Sequence, residues 1–160
     1  MGGFLYVRKE PQEAFEDVSA RQRDSIEAFR KKHLPLAATI VTDRFLLFVF
    51  AKRNVSAQNI VRFDNGDFAV VTGTLIYDGV AGIEALRRLY DVFLETTDLF
   101  SKALGHYCVL LCKHGDLFVF NDYHGLYRVF RDQSYDVISS SFLAVLKSCS
   151  REGFPSVVES

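Results

Sequence analysis

Three side chains with reactive chemistry fall on one strand-like stretch. His106, Cys108 and Cys112 share the same parity, so on an extended chain they point to one face. A thiol beside an imidazole can serve as nucleophile and base, provided that Cys108 is exposed and its pKa lowered. The surrounding run from Tyr107 to Cys112 is apolar, however, and small core cysteines flanking Leu110 are the simpler reading. Asp116, Asn121, Asp122 and His124 form a second cluster whose oxygens and imidazole could hold a metal. Against this, His114 and His124 each precede a glycine, as turn residues do. Ser139, Ser140 and Ser141 lead into a helical pattern, which suits capping better than nucleophilic attack. Arg30, Lys31, Lys32 and His33 close a predicted helix, where cations complement the C-terminal dipole. Tyr6, Tyr77, Tyr123 and Tyr127, with the many Phe residues, read mainly as core.

The chain must position these groups with 160 residues, which fits one domain over 1–150 followed by a polar tail over 151–160. Fifteen Phe and seven Tyr with no Trp favour pleated, half-buried strands over a helical bundle. The formal net charge is −1, from 19 basic and 20 acidic residues, which leaves no electrostatic footprint for nucleic acid or an anionic membrane. Three cysteines make no disulfide framework, and no Cys-x-x-Cys pair suggests zinc. The longest apolar run, Phe45 to Ala51, is too short to cross a bilayer, and the first residues lack a secretory leader's apolar stretch. A reduced, cytoplasmic protein with no metal or cofactor is the expectation.

The apolar pattern orders the elements. Gly3 to Val7 reads as a strand. Pro11 opens a helix that continues through Phe15, Val18, Ile26 and Phe29 to Arg30, and Leu34-Pro35 stops it. Strands follow over Ala37 to Val41 and Phe45 to Ala51; the second is continuously apolar, so both its faces should be covered. Asn65-Gly66, between Ile60 to Phe63 and Phe68 to Tyr77, predicts a two-residue type I′ hairpin turn. Ile83 to Phe93 is an amphipathic helix and Leu99 to Leu104 a short second one. Strands over His106 to Lys113, Leu117 to Asn121, Leu126 to Arg131 and Val137 to Ser139 precede a last helix over Ser141 to Ser148. Helices clumped between runs of strands argue an α+β class, two sheets covered by helices, over a doubly wound parallel sheet.

Four segments in one order carry a resemblance. Val71-Thr72-Gly73-Thr74-Leu75-Ile76-Tyr77, Leu104-Gly105-His106-Tyr107-Cys108-Val109-Leu110-Leu111, Asp122-Tyr123-His124-Gly125-Leu126-Tyr127-Arg128-Val129-Phe130 and Ser140-Ser141-Phe142-Leu143-Ala144-Val145-Leu146 are involved. They resemble the N-G-E-I-Y-N, L-x-G-x-F-A, D-R-x-G-x-x-P-L-Y and A-S-E-x-K-A-L segments of class II glutamine amidotransferase domains, as in asparagine synthetases. The resemblance spans Phe68 to Leu146. It implies an Ntn-hydrolase-like αββα sandwich, two antiparallel sheets between helical layers, with the N-terminal strand inside its sheet. It also makes Asp122 the pin of a tight turn.

In that family a cysteine after the initiator Met attacks the glutamine amide, with its own α-amine as base. An Asn and a Gly N–H form the oxyanion hole, an Asp holds the substrate ammonium and an Arg its carboxylate. Here the nucleophile position is Gly2, the oxyanion Asn falls on Thr72, Gly73 is kept, and the ammonium-binding Asp falls on Gly82. No Arg matches uniquely; Arg44 and Arg53 are the candidates. The synthetase signature S-G-G-x-D-S is absent from the sequence, as are phosphate-cradling glycine loops.

The resemblance thus implies the fold and disfavours the activity. Non-hydrolysing domains of this kind occur in β-lactam-forming relatives of asparagine synthetase. The expected role is a structural or regulatory module for an ATP-binding synthetase domain, on a longer parent chain or on a partner, with Gly2, Thr72, Gly73 and Gly82 lining a vestigial pocket. The alternatives are an active amidotransferase feeding ammonia to a synthetase, a module binding a small amino-acid-like ligand, and a Cys108-based hydrolase.

Overall fold

The computed structural model describes residues 2–52, 59–95 and 98–149. The chain divides into two compact units, one made of residues 1–2 and 51–128, the other of residues 3–50 and 129–160. Each holds its own antiparallel sheet. An α+β fold is therefore present, as the clumped elements predict. No helix among the described residues is long and apolar enough to cross a membrane.

The second unit's sheet contains β1 (Gly3–Arg8), β2 (Leu36–Val41), β3 (Phe45–Phe50), β9 (Phe130–Arg131) and β10 (Val137–Ser139), in the order β2-β3-β1-β10-β9. β1 is interior, with Leu5 opposite Phe48 on one side and Ser139 on the other. Every residue of β3 is buried, as its continuous apolar run requires. On one face, Leu5, Val7, Leu46, Phe48 and Phe50 pack with Val18 of α1 (Phe15–Arg21), Phe29 of α2 (Arg23–Arg30) and Ala144 and Val145 of α4 (Phe142–Cys149). Phe29 stacks on Phe50 with ring centroids 4.0 Å apart, worth about 0.5–1.5 kcal/mol beyond the buried area. β1 needs Gly3 here, since a β-carbon would stand 2.6 Å from the Phe29 ring and 2.8 Å from Ser140 Oγ.

Two expectations fail in this unit for local reasons. Pro11 does not open a helix. Glu13 N–H donates to the Glu10 carbonyl, and the Glu13 carboxylate accepts from Glu10 N–H, so residues 10–13 close as a turn with Pro11 in its second position. The predicted long helix is also two, broken at Gln22 (φ −91°, ψ 4°). Gln22 is buried, and its side-chain oxygen accepts from the Ser148 hydroxyl of α4 at 2.6 Å. The serine run fastens the end of β10 to β1 and the start of α4 to the segment after α2. Ser139 Oγ donates to the Phe4 carbonyl at 2.7 Å, Ser140 Oγ accepts from Phe4 N–H at 3.0 Å, and Ser141 Oγ accepts from Lys32.

The first unit's sheet runs β4 (Ile60–Arg62), β5 (Phe68–Tyr77), β7 (Ala103–Lys113), β8 (Asp116–Asn121), with β6 (Val80–Ala81) paired to β5. Ala85, Leu86 and Leu89 of α3 (Gly82–Val92) are buried against Val71, Leu75, Tyr107, Val109 and Leu111. Each leucine contributes roughly 1.5–3 kcal/mol. Lys113 Nζ caps the end of α3 by donating to the carbonyls of Tyr90 (2.8 Å) and Phe93 (2.9 Å).

The hairpin at Asn65-Gly66 is present, but its turn is not type I′. Gly66 N–H donates to the Phe63 carbonyl and Phe63 N–H to the Asp67 carbonyl, and only Gly66 has positive φ. The loop is Asp64-Asn65-Gly66, a type I turn with a bulge at glycine. Type I′ geometry appears instead at Asp78-Gly79 and His114-Gly115, where both central residues have positive φ. The helix expected over Leu99 to Leu104 shrinks to one 3-10 turn, Phe100–Lys102, because Ala103 and Leu104 pair with Tyr77 and Ile76 of β5. The strand expected over Leu126 to Arg131 keeps only Phe130 and Arg131. Side chains of Asn121 and Asp122 take backbone groups of Leu126 and Tyr127 instead.

Candidate functional site

β5 and β7 pair over ten residues, and this ladder organises the residues singled out by sequence. Thr72 is opposite Cys108, Gly73 opposite Tyr107, and Thr74 opposite His106. The His106 ring lies 5.3 Å from the Tyr127 ring, and the Tyr127 hydroxyl donates to the Gly2 carbonyl at 3.0 Å. Gly2 is thereby tied, through Tyr127 and His106, to the stretch of β5 that carries Gly73.

Gly73 is obligatory. Its φ is +99°, and a β-carbon there would stand 2.2 Å from the His106 carbonyl oxygen. Gly105 mirrors it from β7, with φ +117° and a would-be β-carbon 2.1 Å from the Thr74 carbonyl oxygen. The two glycines let the strands approach on either side of the Thr74–His106 pair. Thr72 is 1% exposed, and its hydroxyl has no hydrogen-bond partner among the described residues. Gly82 opens α3 at φ +67°, next to Ala81, which pairs with Ile76. Ile76 is three residues along β5 from Gly73, a separation of about 10 Å. Thr72 and Gly73 are neighbours on β5, Gly2 connects to that strand through Tyr127 and His106, and Gly82 lies off it at the start of α3.

Asp122 holds the segment that carries Tyr127. Its carboxylate accepts from Leu126 N–H (3.0 Å) and Tyr127 N–H (2.7 Å), while Asn121 donates to the Tyr127 carbonyl at 2.8 Å. These bonds replace ladder pairing over Leu126 and Tyr127. Burial opposes the Asp122 charge, but the two N–H donors, aided by His106, outweigh it and hold the carboxyl below its ordinary range. Both carboxylate oxygens are committed to the turn, which argues against the metal cluster of Asp116, Asn121, Asp122 and His124. Among the described residues no group of three or more His, Cys, Asp or Glu is arranged to hold a metal ion.

Cys108 is fully buried, and burial, reinforced by Asp122, pushes its thiol well above the ordinary range. That overturns the Cys108-based hydrolase, which needs an exposed thiolate. Gly2 offers no side chain and Thr72 only a buried hydroxyl. Of the two candidate arginines, Arg44 lies in the β2–β3 turn of the second unit, and Arg53 lies outside the described residues.

By sequence alone Tyr127 is one core aromatic among many. It is buried, but its hydroxyl anchors Gly2. The only sequence signal was its place five residues after Asp122, and that spacing does not reveal where a phenol points. Comparison with protein-family models, curated proteins and solved structures finds no match to this chain.

Proposed function

We propose that this chain is a degenerate, non-hydrolysing class II glutamine amidotransferase-like domain with an Ntn-hydrolase-like αββα arrangement. It serves as a structural or regulatory module of an asparagine-synthetase-like, ATP-dependent amide-forming enzyme. Its partner is a synthetase domain on a longer parent chain or a separate protein. The observation that carries this reading is the Tyr127–Gly2 hydrogen bond. It holds residue 2, where the family has its nucleophile, in the unit that contains Gly73, the retained oxyanion glycine. The interior place of β1, the positive φ of Gly73 and the Asp122 turn support it further. The chemistry has been emptied out. A thiolate is missing at Gly2, an amide at Thr72 and a carboxylate at Gly82, and loss of one oxyanion donor alone costs about 2.7–4 kcal/mol in comparable enzymes.

The test is ammonia release from glutamine by the wild-type chain and by the Gly2→Cys, Thr72→Asn, Gly82→Asp triple variant, with folding checked by circular dichroism. The wild type should release none. Release by the triple variant alone would support the assignment of the pocket. Steady release by the wild type would refute the non-hydrolysing reading. A folded triple variant that neither turns over glutamine nor gains melting temperature with it would refute the pocket assignment.

A further inference from the structure

The second unit's sheet ends on β2 and β9, the first unit's on β4 and β8. An open edge invites pairing with another chain, and proteins blunt such edges by shortness, charge or a bulge. β9 has two residues, β4 has three with Arg62 exposed, and β2 carries a register shift between Leu36 and Ala38. β8 has none of these devices over residues 117–121. They read Leu-Phe-Val-Phe-Asn, without charge, proline or any shift in their pairing to β7.

The ladder fixes which backbone groups of β8 are open. The two-residue turn at His114-Gly115 closes on the Lys113–Asp116 pair, and Asp122 N–H donates to the Tyr107 carbonyl at 3.0 Å. Hydrogen-bonded pairs alternate along an antiparallel ladder. Phe118 and Phe120 therefore spend their backbone groups on Leu111 and Val109, while Leu117, Val119 and Asn121 turn theirs away from β7. Among the described residues these outward groups have no partner. The side chains beside them are apolar and half-buried. Phe118 and Phe120 stand 4.9 and 5.5 Å from the Phe93 ring, and Phe100, 42% exposed, lies 6.1 Å from Phe120.

The order of these residues is its own complement. In an antiparallel pair centred on Val119, Val119 faces Val119 of a second copy, and Leu117 faces its Asn121, all through the outward groups. Phe118 then faces Phe120 of the second copy in a non-hydrogen-bonded pair, where side chains approach most closely and aromatic pairing is favourable. A two-fold axis repeats each contact. The formal net charge of −1 leaves little repulsion between copies. We propose that β8 joins two copies of this chain by antiparallel pairing about Val119. The edge is short and its side chains are already half-buried, so the contact falls below the roughly 1,000 Å² of a stable interface, and the dimer separates on dilution. This pairing is independent of the glutaminase-like reading, because none of its residues belongs to the Gly2–Gly73 stretch.

Sedimentation of the intact chain should show a reversible monomer–dimer equilibrium between micromolar and millimolar concentration. Val119→Lys sets two ammonium groups across the axis and should weaken association about tenfold or more. Val119→Pro removes only an outward N–H and should do the same while β7 stays paired. Two readouts do not depend on how those variants fold. In wild-type amide exchange, the N–H groups of Leu117, Val119 and Asn121 should gain protection as concentration rises, whereas those of Phe118 and Phe120 are protected throughout. Under mild oxidation, Val119→Cys should form a disulfide between the two copies of residue 119, mapped by peptide mass spectrometry. Leu117→Cys should not, because its two copies stand about 14 Å apart. A monomer at millimolar concentration, a dimer undiminished in folded Val119→Lys and Val119→Pro, exchange at Val119 that ignores concentration, or cross-linking as ready at 117 as at 119 would each overturn the proposal.

Discussion

The Tyr127 hydroxyl donates to the Gly2 carbonyl at 3.0 Å, joining positions 125 residues apart. The bond depends on a chain of causes. Asp122 bends the backbone after β8, the bend buries the Tyr127 ring, and the buried phenol finds its acceptor at the residue before β1. Tyr127→Phe keeps the ring and removes only the donor. It should cost about 0.5–1.5 kcal/mol in denaturant unfolding, the usual net worth of one intramolecular hydrogen bond. Unchanged stability would mean that Gly2 is not held there in solution.

Two aspartates should set the acid limb of stability. Asp67 is buried, which raises its pKa. Donation from the Tyr90 hydroxyl (2.6 Å), His114 N–H (3.1 Å) and the Asn65 amide (2.9 Å) outweighs that cost, and the carboxyl is held below its ordinary range. Asp122 is lowered in the same way. A folded pKa below the unfolded one stabilises the protein fully above the ordinary aspartate value, about 4. That contribution is lost as pH falls through the lowered folded values. Asp67→Asn and Asp122→Asn should each lower stability at neutral pH and flatten the decline below pH about 4. Asp122→Asn should cost about 1–3 kcal/mol, because Leu126 and Tyr127 N–H bond to different carboxylate oxygens and the amide replaces one of these with an NH2 group that cannot accept. An acid limb of unchanged slope in both variants would contradict the assignment.

The thiols should separate cleanly in a labelling experiment. Cys108 and Cys112 are buried, and burial disfavours the Cys108 thiolate, whereas Cys149 is partly exposed. Iodoacetamide on the native protein should modify Cys149 first, and Cys108 only after unfolding, as read by peptide mass spectrometry. Native-state alkylation of Cys108 ahead of Cys149 would restore the hydrolase reading.

Elements fixed by local periodicity were legible in the sequence, and those fixed by side-chain capture of the backbone were not. The apolar run of β3 and the interior β1 followed from pattern and resemblance. The Asn65-Gly66 turn was legible as a turn, but glycine alone does not state how many residues the loop holds. The break at Gln22 escapes periodicity because Val18 and Phe29 lie on one helical face with or without it. The loss of strand at Leu126 and Tyr127 needs the position of Asp122 in three dimensions. For the candidate site, Gly73 was marked by resemblance, while its physical necessity, the His106 carbonyl against it, is visible only across the β5–β7 ladder.

That necessity gives the sharpest stability prediction. Gly73→Ala would meet two penalties: a φ of +99° that an L-residue avoids, and a β-carbon 2.2 Å from the His106 carbonyl oxygen, with the Tyr107 Cα at 3.0 Å. Both obstacles are backbone in the middle of a hydrogen-bonded ladder, so the neighbour cannot turn aside as a flexible side chain would. Gly66→Ala is the matched control, because its φ is +87° and nothing lies within 4 Å of the added carbon. The control should cost only the left-handed strain, about 1–2 kcal/mol. Gly73→Ala should exceed it by several kcal/mol, or leave the chain unfolded, because the clash adds to the strain. Amide exchange separates the two effects. Gly66→Ala should loosen only the β4–β5 hairpin end, whereas Gly73→Ala should lose protection from Thr72 through Leu75 and from Gly105 through Cys108 together. Equal costs for the two substitutions would mean that β5 and β7 are not in close contact at Gly73, and the link from Gly2 through Tyr127 and His106 to that strand would then lose its geometric support.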